Sequence, residues 1–377
     1  MKKTLLVLSI LLLFSWCNIK NTSFDVNNNI KVVNIWTVIP LSSSSTSNYW
    51  EDWANIWTYL VNKFNNENTW VQVNLIIEDG KCNTKDAVSA AEKLINIDKV
   101  DLFVWWGCSS EGIAVWQLAQ QNEILFINWI SSAPDLSNIW DWIYNYKNDL
   151  YAGKRLAEFL NKKVESIVLI YENTSFGKWL KDVIESEYTW EILQTISLNT
   201  DENNLYLLIK QIEDLNPDWI VLMNQSEEML SREIIELNNN WLLEQYKEKI
   251  FWAYVFASQR AKENIRDLLE WAYQVNVSDV DTFWEKWVEF FDEISQNYSI
   301  QAVPSYDLIW AESLNIALDA IKQWNYDSLS IKNYLESITK NNYRSWLIWD
   351  YYIDDNQAIW IKYSIQQVAN WDLVTVE

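Results

Sequence analysis

The chain alternates short β-branched runs with segments in which apolar residues recur at three- and four-residue spacing. The runs Val32–Ile39, Val71–Ile77, Val100–Val104, Ile124–Ile127, Ser166–Tyr171, Ile192–Ser197, Trp219–Met223 and Ile250–Tyr254 predict strands. Between them the spacing predicts helices over Asp52–Phe64, Thr84–Ile95, Tyr151–Leu160, Leu205–Leu215 and Glu227–Leu237. This β-α-β-α rhythm requires parallel sheets with helices on both faces, since parallel neighbours must be joined by a crossover. The rhythm restarts near Ser166, after a helix beginning around Asp149, and so predicts two similar lobes. Three longer helices follow, Thr282–Ile294, Ser305–Ile321 and Ser330–Ile338, and then a β-rich tail from Tyr343 onward.

At 377 residues the chain is long enough for two α/β lobes, each burying its own core. Its net charge of −23 disfavours nucleic acid and anionic lipid as partners, because both need a basic face. Histidine is absent. That removes the usual general base, the usual zinc ligand and every Ser/His or Cys/His nucleophile pair.

The chain carries 26 Trp and only 5 Gly. A protein of this length ordinarily has about 7% Gly, roughly 26 residues, so the two counts look exchanged. Their neighbourhoods agree: Asn240-Trp241 follows a predicted helix, Asn370-Trp371-Asp372 lies between two strands, and Trp105-Trp106-Gly107 stands where a strand turns into a helix. Glycine is favoured at such places because it adopts positive φ without a Cβ clash, and indole is a poor substitute. The expectation is that most of these Trp are Gly in the cell, from a UGA codon that some bacterial lineages read as Gly. A truly Trp-rich protein would instead place its indoles in aromatic clusters on core faces.

Lys2 and Lys3 precede the apolar run Leu5–Phe14 and then Ser15-Trp16-Cys17, the pattern of a signal peptide too short to span a bilayer. With Gly read at 16, this stretch resembles a bacterial lipobox whose Cys17 becomes the lipidated first residue, and residues 18–29 form a polar tether. Cys82 and Cys108 remain. Outside the cytoplasm an isolated pair reads as a disulfide, with a two-Cys metal site as the alternative.

The sequence contains no GxGxxG, Walker or HExxH motif. Gly107-Cys108-Ser109-Ser110-Glu111-Gly112 misses the spacing of a nucleophile elbow, and the acidic pairs Asp354-Asp355 and Glu227-Glu228 fit a solvated turn or helix start better than glycosidase carboxylates. Cys108-Ser109-Ser110 is more informative. It follows the strand Val100–Val104 and opens a helix, so backbone N–H groups and two hydroxyls converge on a place suited to a carboxylate or phosphate. Asn128 to Pro134, with Ile130, Ser131 and Ser132, repeats the pattern after the strand Ile124–Ile127. Both sit at strand C-termini, where open α/β sheets bind ligands, although each could equally be a serine N-cap.

With Gly restored for Trp, the chain resembles the Leu/Ile/Val-type periplasmic binding proteins along nearly all of its mature length. The resemblance lies in Val33–Ser42, Tyr49-Trp50, Cys82–Asp86 with Cys108-Ser109-Ser110, Ser131–Leu136, Phe176-Gly177, Pro304-Ser305-Tyr306-Asp307, and the tail from Trp349-Asp350 through Asn370-Trp371-Asp372. It implies an α/β fold of the type I periplasmic-binding-protein kind, two Rossmann-like lobes with parallel sheets joined by a three-segment hinge. The expected division is 30–147 plus 277–340 for the first lobe and 148–276 plus 341–377 for the second. The resemblance also implies that Cys82 and Cys108 are bonded, that Ser109 and Ser132 bind a ligand carboxylate, that the carbonyl of Ile130 accepts from an ammonium, and that Tyr49 walls the pocket. Ser110 and Ser131 flank these groups. Two positions depart from the family: Tyr254 stands where it has an acidic ammonium partner, and Asn224-Gln225 where it has an aromatic. A phenol does not replace the charge-assisted bond of a carboxylate, so Glu227 or Glu228 is the candidate for that charge.

The implied function is that of an extracytoplasmic solute-binding lipoprotein of an ABC importer, a monomer partnered by permease subunits and anchored to the membrane by lipid only. It needs no cofactor and performs no chemistry. A sensor on the same fold and a carboxylate-based hydrolase are the alternatives.

Overall fold

The computed structural model describes residues 30–42, 49–105, 108–128, 131, 141–145, 149–253, 265–276, 280–298, 300, 304–346, 349–354, 356–359, 363–370 and 372–377. Cys17, Ile130, Ser132 and Tyr254 lie outside these residues. Among the described residues no helix is long and apolar enough to cross a membrane.

The first lobe is built from β1 (Lys31–Ile39), α1 (Tyr49–Glu67), β2 (Val71–Asp79), α2 (Thr84–Lys93), β3 (Leu102–Trp105), α3 (Ser109–Gln121), β4 (Leu125–Asn128) and β5 (Ile143–Asn145). The chain then crosses to α4 (Asp149–Lys163), β6 (Ser166–Glu172), α5 (Ser175–Glu187), β7 (Glu191–Leu198), α6 (Tyr206–Leu215), β8 (Trp219–Met223), α7 (Glu227–Asn239), the short α8 (Leu242–Gln245), β9 (Ile250–Ala253) and β10 (Tyr273–Asn276). Helices α9 (Val280–Ser295), α10 (Pro304–Lys322) and α11 (Ser328–Glu336) precede β11 (Arg344–Trp346), β12 (Trp349–Asp354), β13 (Gln357–Ile359), β14 (Ser364–Ala369) and β15 (Asp372–Thr375).

The first sheet runs β2-β1-β3-β4-β5-β13-β12-β11 and the second β7-β6-β8-β9-β10-β14-β15. In each, the first five strands are parallel. Position in the sheet is written in the sequence. Central β8 is Trp-Ile-Val-Leu-Met and wholly buried, whereas edge strand β2 buries Val71 and Val73 and turns Asn74 to solvent. The helices bury one stripe; in α5 it is Phe176, Gly177, Leu180, Val183 and Ile184.

The expected boundary between residues 340 and 341 is corrected. Strands β11 to β13 belong to the first sheet, where β12 pairs with β11 and β13, and β13 lies parallel to β5. The third crossing therefore falls between β13 and β14. The cause is a side-chain network that a β-rich tail does not announce: Arg344 of β11 and Tyr351 of β12 both bond to Glu312, buried on α10.

Among the described residues some tryptophans take a left-handed backbone at turns and others pack in the core. Trp324 follows α10 with φ 71°, its N–H bonding to the Ile321 carbonyl while the N–H of Asn325 bonds to Ala320. That is the Schellman pattern, with Trp at the left-handed position usually held by Gly. Trp241 after α7 and Trp271 before β10 have φ 63° and 76°, and all three indoles reach solvent. By contrast Trp57 and Trp310 stack at 4.2 Å between α1 and α10, and the indole N–H of Trp57 donates to the Trp310 carbonyl. That pair is the core cluster a Trp-rich chain requires. At 241, 271 and 324 glycine is expected to relieve left-handed strain of roughly 1 kcal/mol per residue, raising the denaturation midpoint. Peptide mass spectrometry of native protein should show Gly there, and finding Trp at all three refutes recoding at those codons.

Candidate functional site

The described residues that line an interlobe cavity lie at or just beyond the C-terminal ends of strands. From the first lobe come Ser42 after β1, Lys81 and Cys82 after β2, and Ser110 at the start of α3. From the second come Glu172, the last residue of β6, with Asn173 to Ser175 and Lys178 beyond it, Thr200 after β7, and Gln225 and Ser226 after β8. The cavity holds about 530 Å³, within the range of small-ligand sites. The strand order places β1 between β2 and β3, and β6 between β7 and β8, so each lobe presents its topological switch point to the cleft.

On the first-lobe side, Asp79 organises the rim. Its carboxylate accepts from the Ser42 hydroxyl and from the N–H of Lys81 at 3.0 Å. Cys82 and Cys108 are disulfide-bonded with their Cα atoms 5.4 Å apart, tying the loop after β2 to the start of α3. In the chain-entropy model a loop of this length is worth about 3.5 kcal/mol. Glu111 reinforces the same junction: it is fully buried and accepts from the N–H of Cys108 at 2.9 Å. Burial pushes its carboxyl up to about 7, against the backbone N–H groups of Cys108, Asn83 and Cys82, which favour the ionised form. Gly80 makes this approach possible, because a Cβ there would lie 2.2 Å from Glu111 Oε1.

On the second-lobe side, buried Glu172 is the anchor. One oxygen accepts the N–H groups of Gln225 and Ser226, each at 2.8 Å, and the other accepts the Ser226 hydroxyl at 3.1 Å. The turn that opens α7 therefore compensates this carboxylate. Thr174 caps α5 through Gly177 N–H at 3.1 Å, and a Cβ on Gly177 would strike the Glu172 carbonyl at 2.1 Å. Across the cleft, the Gln225 amide reaches Cys82 Sγ at 3.8 Å.

Of the residues singled out in the sequence, Ser110 and Gln225 line the cavity, as does Cys82. Ser109 is one position deeper and 6% exposed, and Ser131 is buried with its carbonyl accepting from Asn128 at 2.6 Å. Tyr49 is the first residue of α1. Asn224 turns away from the cleft to bond Glu233. Glu227 and Glu228 begin α7 and do not line the cavity; the acid that does is Glu172. Lys81, Glu172, Thr174, Ser175 and Lys178 were not anticipated, although Glu172 to Ser175 occupies the same place after β6 that Cys108 to Ser110 occupies after β3.

Two doubly wound lobes whose strand ends face a common cleft define a small-ligand binding protein. Residues 37–231, just over half of the chain, match the periplasmic binding protein family, and the chain belongs to that family. It is a binding protein and not an enzyme. No curated protein matches the sequence. Solved structures with this fold include the branched-chain amino acid transporter substrate-binding protein LivJ of Streptococcus pneumoniae in complex with isoleucine, 16% identical with a TM-score of 0.80 over 92% of this chain and 99% of that one. The leucine-binding protein LivK of Thermotoga maritima is 15% identical with a TM-score of 0.74 over 92% and 98% of the two chains. An ABC transporter substrate-binding protein of Desulfitobacterium hafniense in complex with Leu is 13% identical with a TM-score of 0.67 over 92% and 100%. The fold is thus the type I periplasmic-binding-protein fold.

Proposed function

We propose that this chain is the extracytoplasmic substrate-binding lipoprotein of an ABC importer, taking up an amino acid or closely related small carboxylate in the cleft between its lobes. The observation that carries this reading is the meeting of strand C-termini from both sheets around one polar cavity, with Ser110 at the start of α3 facing Thr174 and Ser175 at the start of α5. Ser109 and Ser110 receive the ligand carboxylate with Ser132, Ile130 accepts from an ammonium, and Tyr49, Gln225 and Tyr254 complete the walls. Crossings between the lobes at three places provide a hinge for closure on the ligand. The LivJ and Desulfitobacterium proteins hold isoleucine and leucine, which supports an amino acid as the ligand class.

Two measurements test this. An amino acid or small carboxylate at about a hundred times its dissociation constant is expected to stabilise the protein by about 2.7 kcal/mol. A protein unmoved by every such compound lacks this function. Cys17→Ser is expected to release the protein from membranes and abolish fatty-acid labelling; membrane retention without label rules out the anchor.

A further inference from the structure

The described cleft wall is unlike a pocket for an aliphatic side chain. Apart from Cys82 it consists of hydroxyl, amide and charged side chains. Burying a leucine side chain against these described residues removes little apolar protein surface from water and desolvates polar groups. What the wall does offer is two ammonium groups on opposite lobes, Lys81 beyond β2 and Lys178 in the first turn of α5. Among the described lining residues these two cations stand against one carboxylate, Glu172.

Among the described residues Glu172 makes no ion pair with either lysine; its oxygens accept from two backbone N–H groups and a hydroxyl at the start of α7. Lys81 approaches Asp86 only at 3.8 Å with both side chains about half exposed, a contact worth little in water. Lys178 has no carboxylate within ion-pair distance among the described residues. Both cations are therefore available to a ligand. Because one belongs to each lobe, a ligand anion that bridges them favours the closed arrangement specifically.

We infer that the ligand carries a second carboxylate besides the one received at Ser110, and that Lys81 and Lys178 hold it between the lobes: an acidic amino acid or a dicarboxylic acid, not a branched-chain amino acid. This rests on the reading of the cleft as an amino-acid or carboxylate site. The backbone supports the assignment, since Asp79 fixes the Lys81 loop and Thr174 caps the turn that carries Lys178.

Calorimetric titration with L-glutamate, succinate, L-leucine and inorganic phosphate tests the inference. L-glutamate or succinate is expected to bind more tightly than L-leucine or phosphate, with affinity falling as ionic strength rises. Lys178→Gln and Lys81→Gln are each expected to weaken that binding about tenfold. Lys178 is exposed, so its replacement leaves folding intact, and an unchanged melting temperature without ligand verifies this. Tighter binding of leucine, insensitive to either lysine, overturns the inference and leaves the amino-acid reading standing. Tighter binding of phosphate than of any carboxylate overturns both, and no binding by any of the four overturns the inference.

Discussion

Arg344→Met is expected to destabilise the protein by about 3–5 kcal/mol, among the largest losses available from one side chain. Arg344 meets Glu312 in a fork, Nε to Oε1 at 2.6 Å and Nη2 to Oε2 at 3.2 Å, while Nη1 reaches Asp319 at 2.8 Å. The Tyr351 hydroxyl donates to Glu312 at 2.6 Å. Side-chain exposure is 9% for Arg344 and 1% for Glu312, so removing the guanidinium strands a carboxylate away from water. Burial already raises the Glu312 carboxyl above its ordinary value, with Arg344 opposing that rise. Replacing Glu312 with Leu as well is expected to recover part of the loss, because it removes the stranded carboxylate but also takes away the bond that the buried Tyr351 hydroxyl makes to it. Urea unfolding of the single and double variants measures this. An Arg344→Met protein as stable as the parent shows that the network does not hold β11 and β12 to α10.

Stability is also expected to fall as pH rises from about 4.5 to about 8, through Glu233. Burial on the inner face of α7 pushes this carboxyl up to about 8, against the Asn224 amide that bonds it, and buried Glu172 adds to the rise. The native protein therefore holds a proton that the unfolded chain releases above its ordinary carboxylate range, and each pH unit between the two values costs about 1.4 kcal/mol. The full window corresponds to a loss of roughly 4–5 kcal/mol from this group. The protonated acid also fits its surroundings: Glu233 Oε1 and Asn224 Oδ1 are buried without a hydrogen-bond partner, and a carboxylic acid can donate where a carboxylate cannot. Glu233→Gln keeps an acceptor for Asn224 and removes the ionisation. Its unfolding free energy is expected to lose this part of the pH slope and to exceed that of the parent at pH 8 and above. An unchanged slope between pH 5 and 8 assigns the dependence to other groups.

The elements that the sequence makes plain are those with local causes. Runs such as Ser166–Tyr171 and Trp219–Met223 predict strands within a residue or so of β6 and β8, because a strand buried on both faces must be apolar throughout. Short β5 and β10 carry too few residues for a pattern and gain their structure from neighbours already in place. Of the site, Ser110 was legible because a hydroxyl pair follows an apolar run and opens a helix. Lys81 and Lys178 look like any surface lysines, and Glu172 like the end of a strand.

The sequence by itself determined the two α/β lobes, the likeness to periplasmic binding proteins and the exclusion of histidine chemistry, since periodicity and composition depend only on neighbours along the chain. Tertiary structure alone decided that β11 to β13 complete the first sheet. It also decided that Asn224 turns inward to Glu233 while Gln225 faces the cleft, and that Lys81 and Lys178, 97 positions apart in the chain, share one cavity. These depend on which surfaces meet when the sheets twist and the lobes face each other, and residues far apart in sequence carry no local sign of that meeting.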